Sequence, residues 1–301
     1  MTRLNVRRAI AATSLSVLAV TGLAACGSDD DSSNNDDSSS SSNETSGDEG
    51  SGDEGDGGSD DGTVEGSSFD VEEGGEVDPA EFASFYLEAS TAGETAAIEQ
   101  TTTVDGATTT MSGEQVLDLE NPALRLTGDF GAGEGELVVV DGTMYIPIAE
   151  GGQQVSLPID DPSNPLAQAF ALLGSPDKNE QILAEASTSV TFTGVEEVDG
   201  VSTETYDVVL DPAVMFDILG YGDLSATGAV PEEITQSVAI DAEGRVVELA
   251  QVSPATDVAP ETETVQSWSD FGRDVTIEAP TDAIPYDEFM SSMGGGAATD
   301  S

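Results

Sequence analysis

The sequence predicts an α+β fold: a broad antiparallel sheet with a few short helices packed on one of its faces. Three observations predict it. From Thr95 onward apolar residues recur mostly with a period of two, the pattern of half-buried strands. Asp-Gly pairs punctuate those runs at Asp105-Gly106, Asp141-Gly142 and Asp199-Gly200, and this dipeptide favours the two-residue turn that joins antiparallel neighbours. Helical spacing is confined to short stretches, opened by Asp78-Pro79, Ser175-Pro176 and Asp211-Pro212. Helices therefore interrupt blocks of strands instead of alternating with single strands, which favours α+β over α/β.

Residues 1–25 stand apart from that fold. Arg3, Arg7 and Arg8 form a basic start, and Ala9 to Leu23 is an apolar run. The run is short for a membrane-spanning helix, which needs ~20 apolar residues. The small residues Ala24 and Ala25 then precede Cys26, the only cysteine of the chain, which has no disulfide partner within it. This layout resembles the lipobox of bacterial lipoproteins. The resemblance implies that Leu23, Ala24 and Ala25 are the signal peptidase recognition residues, and that Cys26 becomes an N-terminus carrying palmitate-type acyl chains. The other reading is an uncleaved signal anchor with a chance cysteine. One acyl chain anchors marginally and two hold stably, so a multiply acylated Cys26 suffices as the sole attachment to the extracytoplasmic face of the cell membrane.

Residues 26–76 follow as the acylated cysteine and an acidic tether of Ser, Gly, Asp and Glu without a basic residue. Such a composition cannot bury enough apolar surface to offset chain entropy, so a disordered linker is expected. As a flexible coil of about 50 residues it spans ~40 Å, and self-repulsion extends it. Calcium binding is the sharper reading of so many carboxylates. It is disfavoured because the spaced Asp/Asn loop with a terminal Glu is missing.

The folded domain is expected over 77–290, with 291–301 a disordered tail of small residues. Asp78 and Pro79 read as N-cap and first residue of a helix with Phe82, Phe85, Tyr86 and Ala89 on its apolar face. A meander of strands runs from Thr95 to about Pro158. It takes in Leu117, Leu119, Leu124, Leu126, the run Leu137 to Val140, then Met144, Ile146, Val155 and Leu157. Two short helices interrupt it, one carrying Leu166, Phe170 and Leu173, the next carrying Ile182, Leu183 and Ala186. Strands resume with Val190, Phe192 and Val195, turning at Asp199-Gly200 into Tyr206, Val208 and Leu210. Asp211-Pro212 opens a third helix with Met215, Phe216 and Leu219. Three further strands, Ile234 to Ile240, Val246 to Val252 and Thr262 to Phe271, precede a short piece at Val275 to Ile277 that ends at Pro280, making three or four strands in this last block.

Several chemistries are excluded or disfavoured. Net charge is −53, with 60 acidic and 7 basic residues. Loss of residues 1–25 would leave only Arg125, Lys178, Arg245 and Arg273 basic. Such a surface repels phosphates, so nucleic acid is not an expected partner, and electrostatic docking on anionic lipid is equally disfavoured. The same balance suits a saline medium, where counterions screen self-repulsion. No histidine is present, which removes the commonest general base and metal ligand. The glycine-rich run Gly131 to Gly135 joins two strands and lacks the helix and lysine of a phosphate loop. Carboxylate pairs such as Glu196-Glu197 and Glu232-Glu233 are expected on a solvated face in so acidic a chain. No enzymatic activity, cofactor or metal is expected.

The order of these blocks carries a resemblance. A helix enters "AIEQTTTVDGATTTMSGEQVLDLENPALRLTGDF". Next come "LVVVDGTMYIPI", "VTFTGVEEVDGVSTETYDVVLDPAVMFDIL", and "VAIDAEGRVVELA" with "SWSDFGRDVTIEAP". Together with the lipobox they resemble actinobacterial LppX/LprG-type lipoproteins of LolA-like fold, over about residues 80–280. The resemblance implies a curved, half-open antiparallel barrel whose concave face is covered by short helices, leaving apolar space for acyl chains. It implies a lipid or glycolipid carrier within the cell envelope. On that reading the wall of the cavity is Leu117, Leu119, Leu124, Leu126, Val138, Val140, Met144, Ile146, Phe192, Val208 and Leu210. The lid is Leu166, Phe170, Leu173, Met215, Phe216 and Leu219. The alternative is an envelope protein-binding or sensory module of the same fold without a lipid ligand, its protein partner unnamed by the sequence.

Overall fold

The computed structural model describes residues 64, 66–118, 121–130, 133–148, 153–159, 176–220, 230–256 and 259–294. The signal segment, Cys26, most of the acidic tether, Leu119 and the helix expected around 166–173 lie outside the described residues.

Four helices are described: α1 (Pro79–Ala89), α2 (Pro176–Ala186), α3 (Pro212–Ile218) and α4 (Tyr286–Gly294). The strands are β1 (Thr95–Val104), β2 (Ala107–Val116), β3 (Ala123–Asp129), β4 (Glu134–Val140), β5 (Thr143–Pro147) and β6 (Gln154–Pro158). They continue with β7 (Ser187–Val198), β8 (Val201–Leu210), β9 (Ile234–Asp241), β10 (Val246–Ser253), β11 (Thr262–Ser269) and β12 (Ile284–Pro285). All twelve join one sheet in the order β12-β6-β5-β4-β3-β2-β1-β11-β10-β9-β8-β7. The first meander is β1 to β6 and the second β7 to β11; they join where β1 pairs with β11, Ile98 opposite Trp268. The sheet is antiparallel apart from β12 beside β6, and it is curved but unclosed.

Local chemistry explains these elements. Asp105, Asp141 and Asp199 adopt φ near +50°, each followed by a glycine of positive φ, the geometry that tight hairpins demand. Asp78 caps α1 by accepting from the Ala80 and Glu81 amides at 3.0 and 3.2 Å. Asp211 caps α3 in the same way, accepting from Ala213 and Val214 at 2.8 and 3.3 Å. Each such cap is worth about 1 kcal/mol. Helix α1 buries Phe82, Ala83, Tyr86 and Ala89, and α1, α2 and α3 pack on one another beside β7.

The chain departs from the sequence-based expectation in three places. Residues 66–76, read as tether, pack on the domain: Gly74 donates to the Phe192 carbonyl and Val77 to that of Val190, and Phe192 donates to Gly75. The segment covers the free edge of β7, where an open row of amides would otherwise invite pairing with another chain. Val275 to Ile277 is not a strand. Both sides of β11 are already occupied, so this segment crosses the face opposite the helices, with Ile277 against Ala123, Val138 and Val140. Finally, residues 291–294 belong to α4, where Ser291 and Ser292 turn their hydroxyls back to the carbonyls of Asp287 and Phe289.

Candidate functional site

One face of the sheet carries the main core and faces α1, α2 and α3; it is called concave here. Period-two alternation decides which residues stand on it. One cross-strand row is Ala96, Gln115, Leu124, Val139, Met144 and Leu157, on β1 to β6. The next is Trp268, Ile98, Gly113, Leu126 and Leu137. At the other end Val190, Phe192, Tyr206, Val208 and Leu210 share the same cluster with Val238, Ile240 and Leu249.

Most expected wall residues meet there. Leu117, Leu124, Leu126, Met144, Phe192, Val208 and Leu210 belong to the main cluster, and Ile146 packs against it. Of the expected lid, Leu219 is buried in the cluster and Met215 packs on it, while Phe216 is half-buried on α3. Val138 and Val140 do not stand on this face. Val138 pairs with Arg125 and Tyr145, and both valines form a second, smaller cluster with Ala123 under Ile277. They are removed from the wall because Leu137 and Val139 hold the concave positions of β4. Leu119, Phe170 and Leu173, with Leu166, lie outside the described residues.

An aromatic cluster holds the helix layer to the β7 end. Tyr206 is fully buried, with ring centroids 5.2 Å from Phe82, 5.5 Å from Phe192 and 5.7 Å from Phe69. Its hydroxyl donates to Glu204 Oε2 at 2.8 Å and shares a 3.1 Å hydrogen bond with Ser67. Burial pushes the Tyr206 phenol well above its ordinary range, and the Glu204 carboxylate adds to the rise. Glu204 also accepts from the Ser68 amide and hydroxyl at 2.7 and 2.8 Å. Sequence reasoning missed Phe69 as a core residue because it sits among Glu, Asp and Gly. Tyr206 could have been found from its parity with Val208 and Leu210.

Sequence reasoning also missed a polar band on the concave face. Five strands adjacent in the sheet each contribute one glutamine: Gln115 on β2, Gln100 on β1, Gln266 on β11, Gln251 on β10 and Gln236 on β9. Gln100 and Gln266 are 2% and 3% exposed. Gln266 donates to Gln100 at 2.8 Å, Gln236 to Gln251 at 2.9 Å, and the Trp268 indole to Gln115 at 2.9 Å. The signal was present: Gln100 follows Ile98 by two, Gln251 follows Leu249 by two, and Gln266 precedes Trp268 by two, all at apolar positions of the alternation.

The opposite face carries a shallow groove of about 470 Å³ between Glu99, Ser112, Glu114, Arg125, Ser267 and Arg273. Arg273 and Arg125 both pair with Glu114, at 3.0 and 3.5 Å. The Arg125 guanidinium also donates to the Thr276 carbonyl at 3.0 Å, which seats the segment after β11. Glu196, Glu197, Glu232 and Glu233 are exposed. Among the described residues no group of His, Cys, Asp and Glu could hold a metal ion, and no helix is long and apolar enough to cross a membrane.

No family model matches the chain, and no curated protein is similar to it in sequence. Solved structures superpose on part of the chain. Against the Mycobacterium tuberculosis lipoprotein LppX the TM-score is 0.44 at 13% identity, over 66% of this chain and 98% of that one. The Pseudomonas aeruginosa MucA/MucB complex gives 0.39 at 13% identity, over 68% of this chain and 62% of that one. A LolA superfamily protein from Nitrosomonas europaea gives 0.29 at 9% identity, over 66% and 96%.

Proposed function

We propose that this chain is a lipid-anchored protein of the cell envelope that holds a lipid or glycolipid against the concave face of its sheet. The observation that carries the reading is the convergence of its apolar residues. Leu124 and Leu126 of β3, Met144 of β5, Phe192 of β7, and Val208 and Leu210 of β8 share one face of one curved, unclosed sheet, on the side of α1, α2 and α3. A strongly curved sheet cannot collapse completely onto three short helices, so this face can seat acyl chains beside its own core. The lipobox-like segment around Cys26 and the acidic stretch after it support a leashed position on the extracytoplasmic face of the cell membrane. The order of strands and hairpins, which resembles LppX/LprG-type lipoproteins, supports the same reading.

The test uses the full chain carrying Cys26→Ser, so that covalently attached acyl groups are not counted. Solvent extraction and mass spectrometry of the purified protein should recover a lipid in near-stoichiometric amount. Addition of lipid vesicles to the delipidated protein should restore it. A protein that retains no lipid from cells and takes none from vesicles would overturn the proposal, and a specific protein captured by that lipid-free form would favour the partner-binding alternative.

A further inference from the structure

We infer that the glutamine band is a recognition strip for the oxygen-rich, uncharged middle of an amphiphile, which makes the preferred ligand a neutral lipid rather than an anionic one. The inference rests on the lipid-binding reading and narrows it to a ligand class.

Gln100 and Gln266 are paired in register, Gln236 and Gln251 share the next row of that face with Thr264, and Gln115 stands apart opposite Ala96. Gln115, Gln100, Gln266, Gln251 and Gln236 come from β2, β1, β11, β10 and β9, five neighbours in the strand order. Apolar rows flank it: Leu124, Val139, Met144 and Leu157 toward β6, and Tyr206 and Val208 toward β7. An amide buried in such surroundings is costly unless its hydrogen-bonding groups are met. The pairs satisfy the oxygens of Gln100 and Gln251, and neither residue keeps a fully buried polar side-chain atom without a partner. Gln100 and Gln251 both accept through Oε1, from Gln266 and Gln236. Their NH2 groups donate to no protein acceptor among the described residues, although Gln100 is 2% exposed. Two donors without a protein acceptor among the described residues, beside the hydroxyl-bearing Thr264, call for acceptor oxygens, such as ester carbonyls, ether oxygens or sugar hydroxyls.

The charged groups set the second half of the specificity. Recognition of a phosphate takes a cation or a helix N-terminus, and all four basic residues beyond Arg8 are committed elsewhere. Arg125 and Arg273 lie on the opposite face with Glu114. Arg245 is held by the buried Asp241, its Nε donating at 2.8 Å, and its guanidinium lies 4.4 Å from the centre of the Phe271 ring. Lys178 donates to Gln181 and to the Ile218 carbonyl at the end of α3. The net charge of −53 repels an anionic headgroup besides. Amides without a neighbouring cation bind a neutral oxygen-bearing linkage.

The experiment measures binding of three probes of matched chain length to the full chain carrying Cys26→Ser. The probes are a diacylglycerol, a phosphatidylglycerol and a saturated hydrocarbon, each presented in the same neutral detergent. The diacylglycerol should bind at least about tenfold more tightly than either competitor, the scale of one or two net hydrogen bonds. Gln100→Met with Gln251→Met should cost the diacylglycerol about tenfold and leave the hydrocarbon unchanged. Should the double variant fail to fold, Gln251→Met alone, at a half-buried site, should give the smaller loss with the same selectivity. Equal binding of diacylglycerol and phosphatidylglycerol, or a parallel loss for diacylglycerol and hydrocarbon, overturns the inference and leaves the lipid-binding reading standing. A parent protein that binds none of the three overturns both.

Discussion

Glu204 is a carboxylate only 4% exposed with no cation among its hydrogen-bond partners. Its stabilisation comes from one backbone amide and two hydroxyls, those of Ser68 and Tyr206. Hydrogen bonds to a charged group are worth about 1.5–3 kcal/mol, and a buried charge that loses one is left exposed to its full desolvation cost. Tyr206→Phe keeps the ring packing and removes one donor, so it should lower stability by about 2 kcal/mol, read as a reduced urea midpoint with unchanged slope. An unchanged midpoint would mean that Ser68 alone satisfies the carboxylate. Glu248 shows the opposite situation. Burial pushes its carboxyl up, and the negative charge of Asp199 adds to the rise. An acid whose folded pKa is raised binds more protons folded than unfolded between the two values, so stability falls as pH rises through that window. Glu248→Gln should therefore raise the melting temperature at pH 7, and the gain should vanish as pH approaches 4. A gain of constant size across that range would point to a packing effect instead. The local chemistry of neither residue was legible in the sequence, because Glu204 meets Ser68 across 136 positions of chain.

Among the described glycines, Gly113 of β2 leaves the least room for a side chain, against the paired strand β3. A Cβ added at Gly113 would stand 1.7 Å from the Arg125 carbonyl oxygen on the neighbouring strand. Rigid backbone cannot give way as a flexible side chain does, so Gly113→Ala must push the strands apart at a row that also holds Leu126 and Ile98. The expected cost is about 3 kcal/mol or more, at the upper end of overpacking penalties. Thermal unfolding of the variant measures it, and a loss under about 0.5 kcal/mol would refute the close approach. The elements that punctuate their own ends were legible in the sequence. Asp78-Pro79 and Asp211-Pro212 announce α1 and α3, and the three Asp-Gly hairpins fix their strands to within a residue or two. What could not be read was which face a fully apolar run presents. Leu137 to Val140 is covered on both sides, by the main core and by Ile277, so alternation leaves no polar residue to mark the outside. Val138 and Val140 were assigned to the wrong face for that reason. The segment before α1 was illegible for another: Phe69 and Val71 are isolated in acidic surroundings, and they become structural by packing on the main core, Phe69 against Phe82, Phe85 and Tyr206.

Over the whole molecule one quantity dominates, the excess of 60 acidic over 7 basic residues. Ion pairs do little to balance it. Those among the described residues involve only Arg125, Arg245 and Arg273, and most have a partly exposed member. Partly exposed pairs are each worth about 0–1 kcal/mol, so salt has little attraction to weaken. It has much repulsion to relieve. At 10 mM ionic strength charges feel one another over about 30 Å, across most of a domain, whereas at 1 M the range shrinks to about 3 Å. Folding concentrates the carboxylates and the unfolded chain disperses them, so screening favours the folded state. The urea midpoint should therefore rise steadily from 10 mM to 1 M sodium chloride. Potassium chloride should match sodium chloride, because ionic strength and not ion identity sets the range of repulsion. Sodium sulfate compared at equal ionic strength separates the two salt effects, since sulfate also strengthens apolar burial. A midpoint flat in chloride and rising only in sulfate would show that the acidic surface costs the fold nothing, and that the charge serves solubility alone. A midpoint rising in both would tie the composition to a saline medium, since the same domain would be weakest where counterions are scarce.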